Sequence, residues 1–144
     1  MLASAQAVQD PVIAKIRTLL TTASPQLQAD VHAIDLSLPA EPTPLDEPYV
    51  DPTEAMATMR QHLRSLRASV LALRGGGPAA ASAQELTARA LLEADQSLEK
   101  LAESYDAYDL ESKGALWAES LRLTKQSKAT SVEAEKVLGI PWPL

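Results

Sequence analysis

Residues 52–74 read PTEAMATMRQHLRSLRASVLALR, and this stretch carries the clearest structural signal in the chain. Its apolar side chains recur at alternating intervals of three and four residues, as in the a/d seam of a coiled coil. The seam consists of Met56, Met59, Leu63, Leu66, Val70 and Leu73. The sequence Gly-Gly-Gly-Pro at 75–78 follows, and it predicts that the helix stops there and that the chain reverses.

A second long helix is predicted to begin near Ser82, because Ser-Ala-Gln-Glu at 82–85 forms a capping box. Its own seam recurs at heptad spacing through Leu91, Ala94, Leu98, Leu101, Tyr105 and Tyr108. Small side chains lie beside this seam and would let another helix approach closely; they are Ala90, Ser97 and Ser104. Together the two helices predict a central, antiparallel, coiled-coil-like hairpin over residues 51–112.

Charged residues support this pairing. Arg60, Arg67 and Arg74 lie along one edge of the first seam, and the chain between 75 and 112 carries eight acidic residues against Arg89 and Lys100. Like edges face each other in an antiparallel pair, so the arginine edge is expected to meet acids such as Asp95 and Asp109. Exposed pairs of this kind contribute less than about 1 kcal/mol each and serve alignment more than stability.

The N-terminal third predicts two short helices within residues 1–38. Asp10-Pro11 and Ser24-Pro25 both pair a capping residue with proline at the first helical position, which predicts helices over about 11–22 and 25–36. Helices this short cannot cover a hairpin arm of about 40 Å, so part of the seam is expected to remain open to a partner. Residues 39–50, with four prolines, predict an extended connector that crosses the surface or, alternatively, separates two helical parts.

The last segment, residues 113–144, predicts one more helix and a tail. Gly114 is expected to break or kink the chain, a helix follows over about 115–138, and Gly139 is its C-terminal cap. The tail carries apolar side chains between prolines, namely Ile140, Trp142 and Leu144. Proline restricts the backbone around Trp142, so the tail is suited either to folding back on its own bundle or to docking on a partner.

Composition agrees with these patterns. The chain has 144 residues, enough for one domain, and only 3% of them are aromatic. Its apolar content is mostly Ala and Leu, which are good helix formers, so an all-α, elongated bundle of four to five helices is expected. There is no cysteine, which excludes disulfides and thiolate sites. No signal peptide or membrane-spanning segment is recognised, and a soluble, intracellular protein without membrane insertion is expected.

Nothing in the sequence points to catalysis. His32 and His62 are the only histidines and have no neighbours at metal-ligand spacing, so no catalytic residue, cofactor or metal is expected. The arginine edge raises the alternative of nucleic-acid binding. The net charge of −6 and the absence of interleaved aromatic residues argue against it.

The sequence therefore favours a non-catalytic subunit, adaptor or scaffold element that contacts other protein chains in a homo-oligomer or hetero-complex. A small acidic chaperone for a secreted or assembling client, or a nucleic-acid-binding regulator, is the alternative. Whether the heptad seam is internal core or interface stays open at this stage. The expected contact residues are Met56, Met59, Arg60, Leu63, Leu66, Arg67, Val70, Leu73, Arg74, Leu98, Leu101, Tyr105, Tyr108, Ile140, Trp142 and Leu144.

Overall fold

A computed structural model describes residues 10–37 and 52–144. This part of the chain forms four helices and no strand, which confirms the all-α bundle. The helices are α1 (Pro11–Ser37), α2 (Pro52–Leu71), α3 (Pro78–Asp106) and α4 (Leu110–Leu138). The predicted proline-rich connector and Asp51 lie outside the described residues. Within the described ranges, no helix has the length and apolar character needed to cross a membrane.

Consecutive helices run antiparallel, as the contacts between them show. Arg60 and Arg67 of α2 bond to Asp95 and Ala88 of α3, so residue numbers rise along one helix as they fall along the other. In the contacts between α3 and α4, residue numbers likewise rise along one helix as they fall along the other. The most extensive pairing is α3 with α4, whereas α1 packs mainly on α2 and touches α4 only slightly. The bundle is therefore open between its first and last helices.

The N-terminal region is one continuous helix, so the prediction of two short helices was wrong. Pro25 lies inside α1, where it lacks the N–H that would bond four residues back. The apolar positions pass through the proline without a change of phase, and Ile16, Leu20 and Leu27 are all buried. With 27 residues, α1 is almost as long as α3 with 29, so the argument from short helices also fails.

Four further boundaries differ from the sequence prediction. Helix α2 ends at Leu71, three residues early, and the Gln84 amide donates to the freed carbonyls of Val70 and Leu73. Helix α3 begins at Pro78 rather than Ser82, since proline needs no N–H partner in the first turn.

At the next turn, α3 ends at Asp106, which leaves Tyr108 outside the helix and fully exposed. Its placement in the seam was therefore wrong. Helix α4 starts at Leu110 because the Asp109 carboxylate accepts from Ser112 N–H, and it continues through Gly114. The predicted Gly139 cap is confirmed by its left-handed conformation at φ 72°.

The core lies where α1, α2 and α3 meet the C-terminal half of α4. From the seam of α2, four side chains are buried, Met56, Leu63, Leu66 and Val70, while Met59 and Leu73 are partly buried. The α1 side chains Ile13, Ile16 and Leu20 are fully buried beside them. Most of the α2 seam is thus satisfied within the chain.

Candidate functional site: an apolar cleft between the first and last helices

The opening between α1 and α4 forms a cleft of about 680 Å³. Apolar side chains from all four helices line it, with Met59 and Leu63 of α2 and Leu91 and Leu98 of α3 among them. The two lips carry Val31 on α1 and Val132 on α4, and each valine is 44% exposed. The cleft is larger and more apolar than the concavity between α2 and α3.

Hydroxyl groups hold one side of the cleft by fixing α4 against α3. The Ser97 and Ser120 side chains each donate to the backbone carbonyl of the other residue, both at 2.9 Å. Ser127 donates to the carbonyl of Ala90 at 2.8 Å. The predicted small-residue edge of α3 is therefore the place where α4 docks, and short side chains are what allow the close approach.

The opposite wall is held by α1, which α2 positions. His62 Nδ1 of α2 lies 2.6 Å from Asp30 Oδ2 of α1, and the Asp30 side chain is mostly buried. The contact lies between Leu27 and Ile34 in the α1 sequence, where both flanking side chains are buried in the same face. The cleft therefore has one wall fixed to α2 and the other fixed to α3, with few contacts between them.

The C-terminal tail folds back on its own bundle and closes one end of the cleft. Trp142 N–H donates to Glu135 Oε1 at 2.9 Å, and Ser24 Oγ donates to the carbonyl of Pro143 at 2.6 Å. Ile140, Trp142 and Leu144 pack against the core, and the last two also line the cleft. Of the two roles that the sequence left open for the tail, the structure shows the intramolecular one.

Apart from the arginines and the exposed Tyr108, the residues expected to make contacts fall into two groups. Met59, Leu63, Leu98, Trp142 and Leu144 line the cleft. Others are core or half-buried elsewhere, namely Met56, Leu66, Val70, Leu73, Leu101, Tyr105 and Ile140.

Sequence reasoning missed the two valine lips. Val31 continues the apolar spacing of Leu27 and Ile34, which predicts burial, and Val132 stands between the polar residues Ser131 and Glu133 in the sequence. Only the packing of α1 relative to α4 shows that the two side chains face the same opening.

The arginine edge divides into two halves. Arg60 pairs with Asp95 at 2.8 Å and with Glu99 at 2.9 Å, and Arg64 adds a second pair to Asp95 at 3.1 Å. The expected meeting of Arg60 with the acids of the next helix is therefore confirmed. The other half finds backbone carbonyls instead, since Arg67 donates to Ala88 and Arg74 to Leu71. The expected role of Asp109 was wrong, because its carboxylate caps α4.

The cleft offers shape and apolar surface rather than reacting groups. The hydroxyls of Ser97, Thr124 and Ser127 are engaged in bonds between α3 and α4, and that of Ser131 donates to a carbonyl within α4. The charged lining is limited to Lys128 and Glu135. In the residues that the structure describes, no three acidic or histidine side chains converge to hold a metal ion. The arrangement is therefore suited to binding.

The chain was compared with models of known families, with curated proteins and with solved structures, and no match was found in any of the three.

Proposed function

We propose that this protein is a non-catalytic adaptor or scaffold subunit that binds an amphipathic helix of a partner protein in the cleft between α1 and α4. The observation that carries the proposal is the open side of the bundle. Its walls are held apart by separate contacts, and its lining is mainly apolar.

A helix is the occupant that fits this geometry. Helices α1 and α4 flank the cleft, and α2 and α3 form its floor, so an added helix would pack on several existing helices at the usual spacing of about 8–10 Å. Its anchor residues at i, i+3, i+4 and i+7 would meet the half-buried side chains of Met59, Ala94 and Leu98. The valine lips would then be covered. Each valine is 44% exposed, so covering the remainder would contribute about 1 kcal/mol, roughly half of the value for a side chain buried from full exposure.

The rim gives this occupant an orientation. Lys128 on the α4 side and Gln28 on the α1 side border the opening. A partner helix with an acidic residue facing α4 would place that carboxylate near Lys128, while its apolar stripe points to the floor. Such rim charges influence specificity and association rate more than affinity.

The binding test uses helical peptides selected against the full chain from a displayed library of amphipathic sequences. Their affinities are then measured by fluorescence anisotropy for wild type, Val132→Glu and Ala129→Glu. Both substitutions place a carboxylate at an exposed position of α4, but only Val132 lines the cleft. We expect Val132→Glu to weaken binding by at least about tenfold, since burying an unpaired charge is unfavourable, and Ala129→Glu to bind as wild type does.

Two results would overturn the proposal. One is equal affinity for the two variants, which would place the peptides elsewhere. The other is that the cleft takes only a small apolar ligand, whose usual pocket volume of about 300–1,000 Å³ includes this cleft. Nuclear magnetic resonance shifts at Val31 and Leu98 on addition of the probe would report which occupant enters.

A chaperone for a secreted or assembling client is the second candidate, because the exposed lips Val31 and Val132 would suit transient capture of apolar segments. The range of peptide sequences that the protein binds distinguishes the two functions. An adaptor is expected to select peptides that share one anchor pattern, whereas a chaperone is expected to bind unrelated apolar peptides with similar affinity and to suppress aggregation of an unfolded client.

A further inference from the structure

A basic groove lies on the other side of α2, away from the cleft. It is a concavity of about 420 Å³ between α2 and α3. Three arginines line it, Arg67 and Arg74 from the end of α2 and Arg89 from α3, and the only acidic side chain in its lining is Glu85. Leu71 and Leu92 add apolar surface to the groove.

The charge of this groove is largely uncompensated within the chain. Arg67 and Arg74 donate to backbone carbonyls, and among the described residues neither forms an ion pair. Arg89 pairs with Glu85 at 2.7 Å, and both side chains are exposed. Each guanidinium has five N–H donors, of which these contacts use only a few. A positive, donor-rich groove thus persists on a chain whose net charge is −6.

An acidic tip lies at the opposite end of α3. It comprises residues 106–111, DAYDLE, where α3 turns into α4. Tyr108 is fully exposed and Leu110 is 87% exposed. Asp106 and Glu111 are also exposed, and neither forms an ion pair within the part of the chain that the structure describes. Two large hydrophobic side chains therefore project into solvent at this tip. The acidic side chains that flank them have no intramolecular ion-pair partner among the described residues.

The acidic tip and the basic groove have complementary chemistry but cannot meet in one molecule. From Arg89 to Asp106 the rigid helix α3 advances by 17 residues, or about 25 Å at 1.5 Å per residue. We propose that the acidic tip of one copy docks in the basic groove of a second copy. Asp106 and Glu111 would bond to the arginines, and Tyr108 would lie on a guanidinium face in a cation–π contact.

This contact joins different surfaces of the two copies, so it is heterologous. A bound pair still presents one free groove, on the copy that gave its tip, and one free tip, on the other copy, so the result is an open chain or a closed ring rather than a symmetric dimer. Nucleic acid is a weaker fit to the groove, because no aromatic side chain lines it for base stacking and Glu85 would face the phosphates.

The experiment uses two variants of the full chain, each blocked at one surface. Arg74→Gln with Arg89→Gln neutralises the groove, and Asp106→Asn with Glu111→Gln neutralises the tip. Lys15→Gln with Lys125→Gln is the control, since it changes net charge as the groove variant does but at exposed positions outside both surfaces. Circular dichroism first establishes that each variant is folded.

Light scattering after size exclusion then gives the mass at rising protein concentration. We expect wild type and the control to grow in mass with concentration, and each blocked variant to remain a monomer. An equimolar mixture of the two blocked variants should form a dimer that grows no further, because it retains one intact tip and one intact groove. Raising the salt concentration should weaken this dimer by about tenfold or more.

A wild-type chain that stays monomeric at every concentration would overturn the proposal. So would a dimer that both blocked variants retain, because a symmetric interface needs neither surface. The Val132→Glu variant separates this inference from the cleft: it should associate as wild type does even if its peptide binding is lost.

Discussion

His62 Nδ1 lies 2.6 Å from Asp30 Oδ2 and links α2 to α1 at a position within the α1 seam. The side chains are 28% and 10% exposed, so the contact is partly shielded from water. An aspartate is unexpected at a position on the apolar face of α1, because burial of a polar group is unfavourable unless the group is hydrogen-bonded. His62 supplies the bond, and the pair sets how α1 lies along α2.

We expect Asp30→Ala to lower the free energy of unfolding by about 1–2 kcal/mol, because His62 loses its partner and a seam position is left unfilled. His62→Ala should cost at least as much, because it leaves the more deeply buried Asp30 carboxylate without its bond, and the double variant should show a coupling energy of about 1 kcal/mol. Urea denaturation of the four proteins gives the cycle. Strictly additive costs would show that the contact is not energetically significant.

Pro25→Ala should stabilise the protein by about 1 kcal/mol, because alanine restores a backbone bond inside α1 and is the best helix former. The substitution site is exposed, so little packing changes. Thermal unfolding measures the effect. If Pro25 instead began a separate helix after a Ser24 cap, the same substitution would be neutral or destabilising.

Ser97→Leu should destabilise the protein by about 3 kcal/mol, because a larger side chain must enter the close α3–α4 contact and the bonds to Ser120 are lost. Gln96→Leu, the matched control, introduces the same residue at an exposed neighbouring position and should change stability by less than about 0.5 kcal/mol. Chemical denaturation compares the two. Equal stabilities would mean that α4 does not pack on Ser97.

Asp10 predicts an acid-dependent loss of stability. The Gly77 N–H, with the N–H groups of Val12 and Ile13, lowers the pKa of the Asp10 carboxyl below its ordinary value of about 3.9. A carboxylate whose pKa is depressed on folding contributes stability that is complete above the unfolded pKa and is lost as the pH falls through the folded pKa.

Asp10→Asn removes this titration but keeps a capping oxygen. We expect the variant to be less stable than wild type near pH 7 and the difference to shrink as the pH falls to about 2. Urea denaturation across this range measures it. A difference independent of pH would show that the Asp10 charge contributes nothing to folding.

Two pairs of residues show how far local sequence carries the fold. Asp10-Pro11 and Ser24-Pro25 have the same local signature, yet only the first begins a helix. At Ser24-Pro25 the helical spacing of apolar residues continues without interruption. Burial of Leu20 and Leu27 on one face of α1 outweighs the backbone hydrogen bond that Pro25 cannot make. The heptad spacing of apolar residues extends to Tyr108 in the sequence, but α3 ends before it. The chain turns there because the Asp109 carboxylate caps the start of α4.

The candidate site was predictable only in part. Met59, Leu63 and Leu98 were expected as contact residues from the seams, and they do line the cleft. Their seam positions alone could not show that Met59 and Leu98 are half-buried beside an opening while Leu63 and Val70 are buried in the core. That distinction depends on where α1 and α4 lie, and both positions are set by helix packing and by polar contacts distant in sequence, such as Asp30 with His62 and Ser97 with Ser120.

The sequence by itself determined the all-helical class, the α2 seam and the Gly139 cap, because each follows from side chains within a few turns of one another. Its charge pattern also indicated the approach of Arg60 to the acidic helix. Tertiary structure alone decided that α1 is continuous, that the bundle is open between α1 and α4, and that the tail lies against Ser24 and Glu135. Helix periodicity fixes which face is apolar, but only packing in three dimensions decides which of those faces are covered.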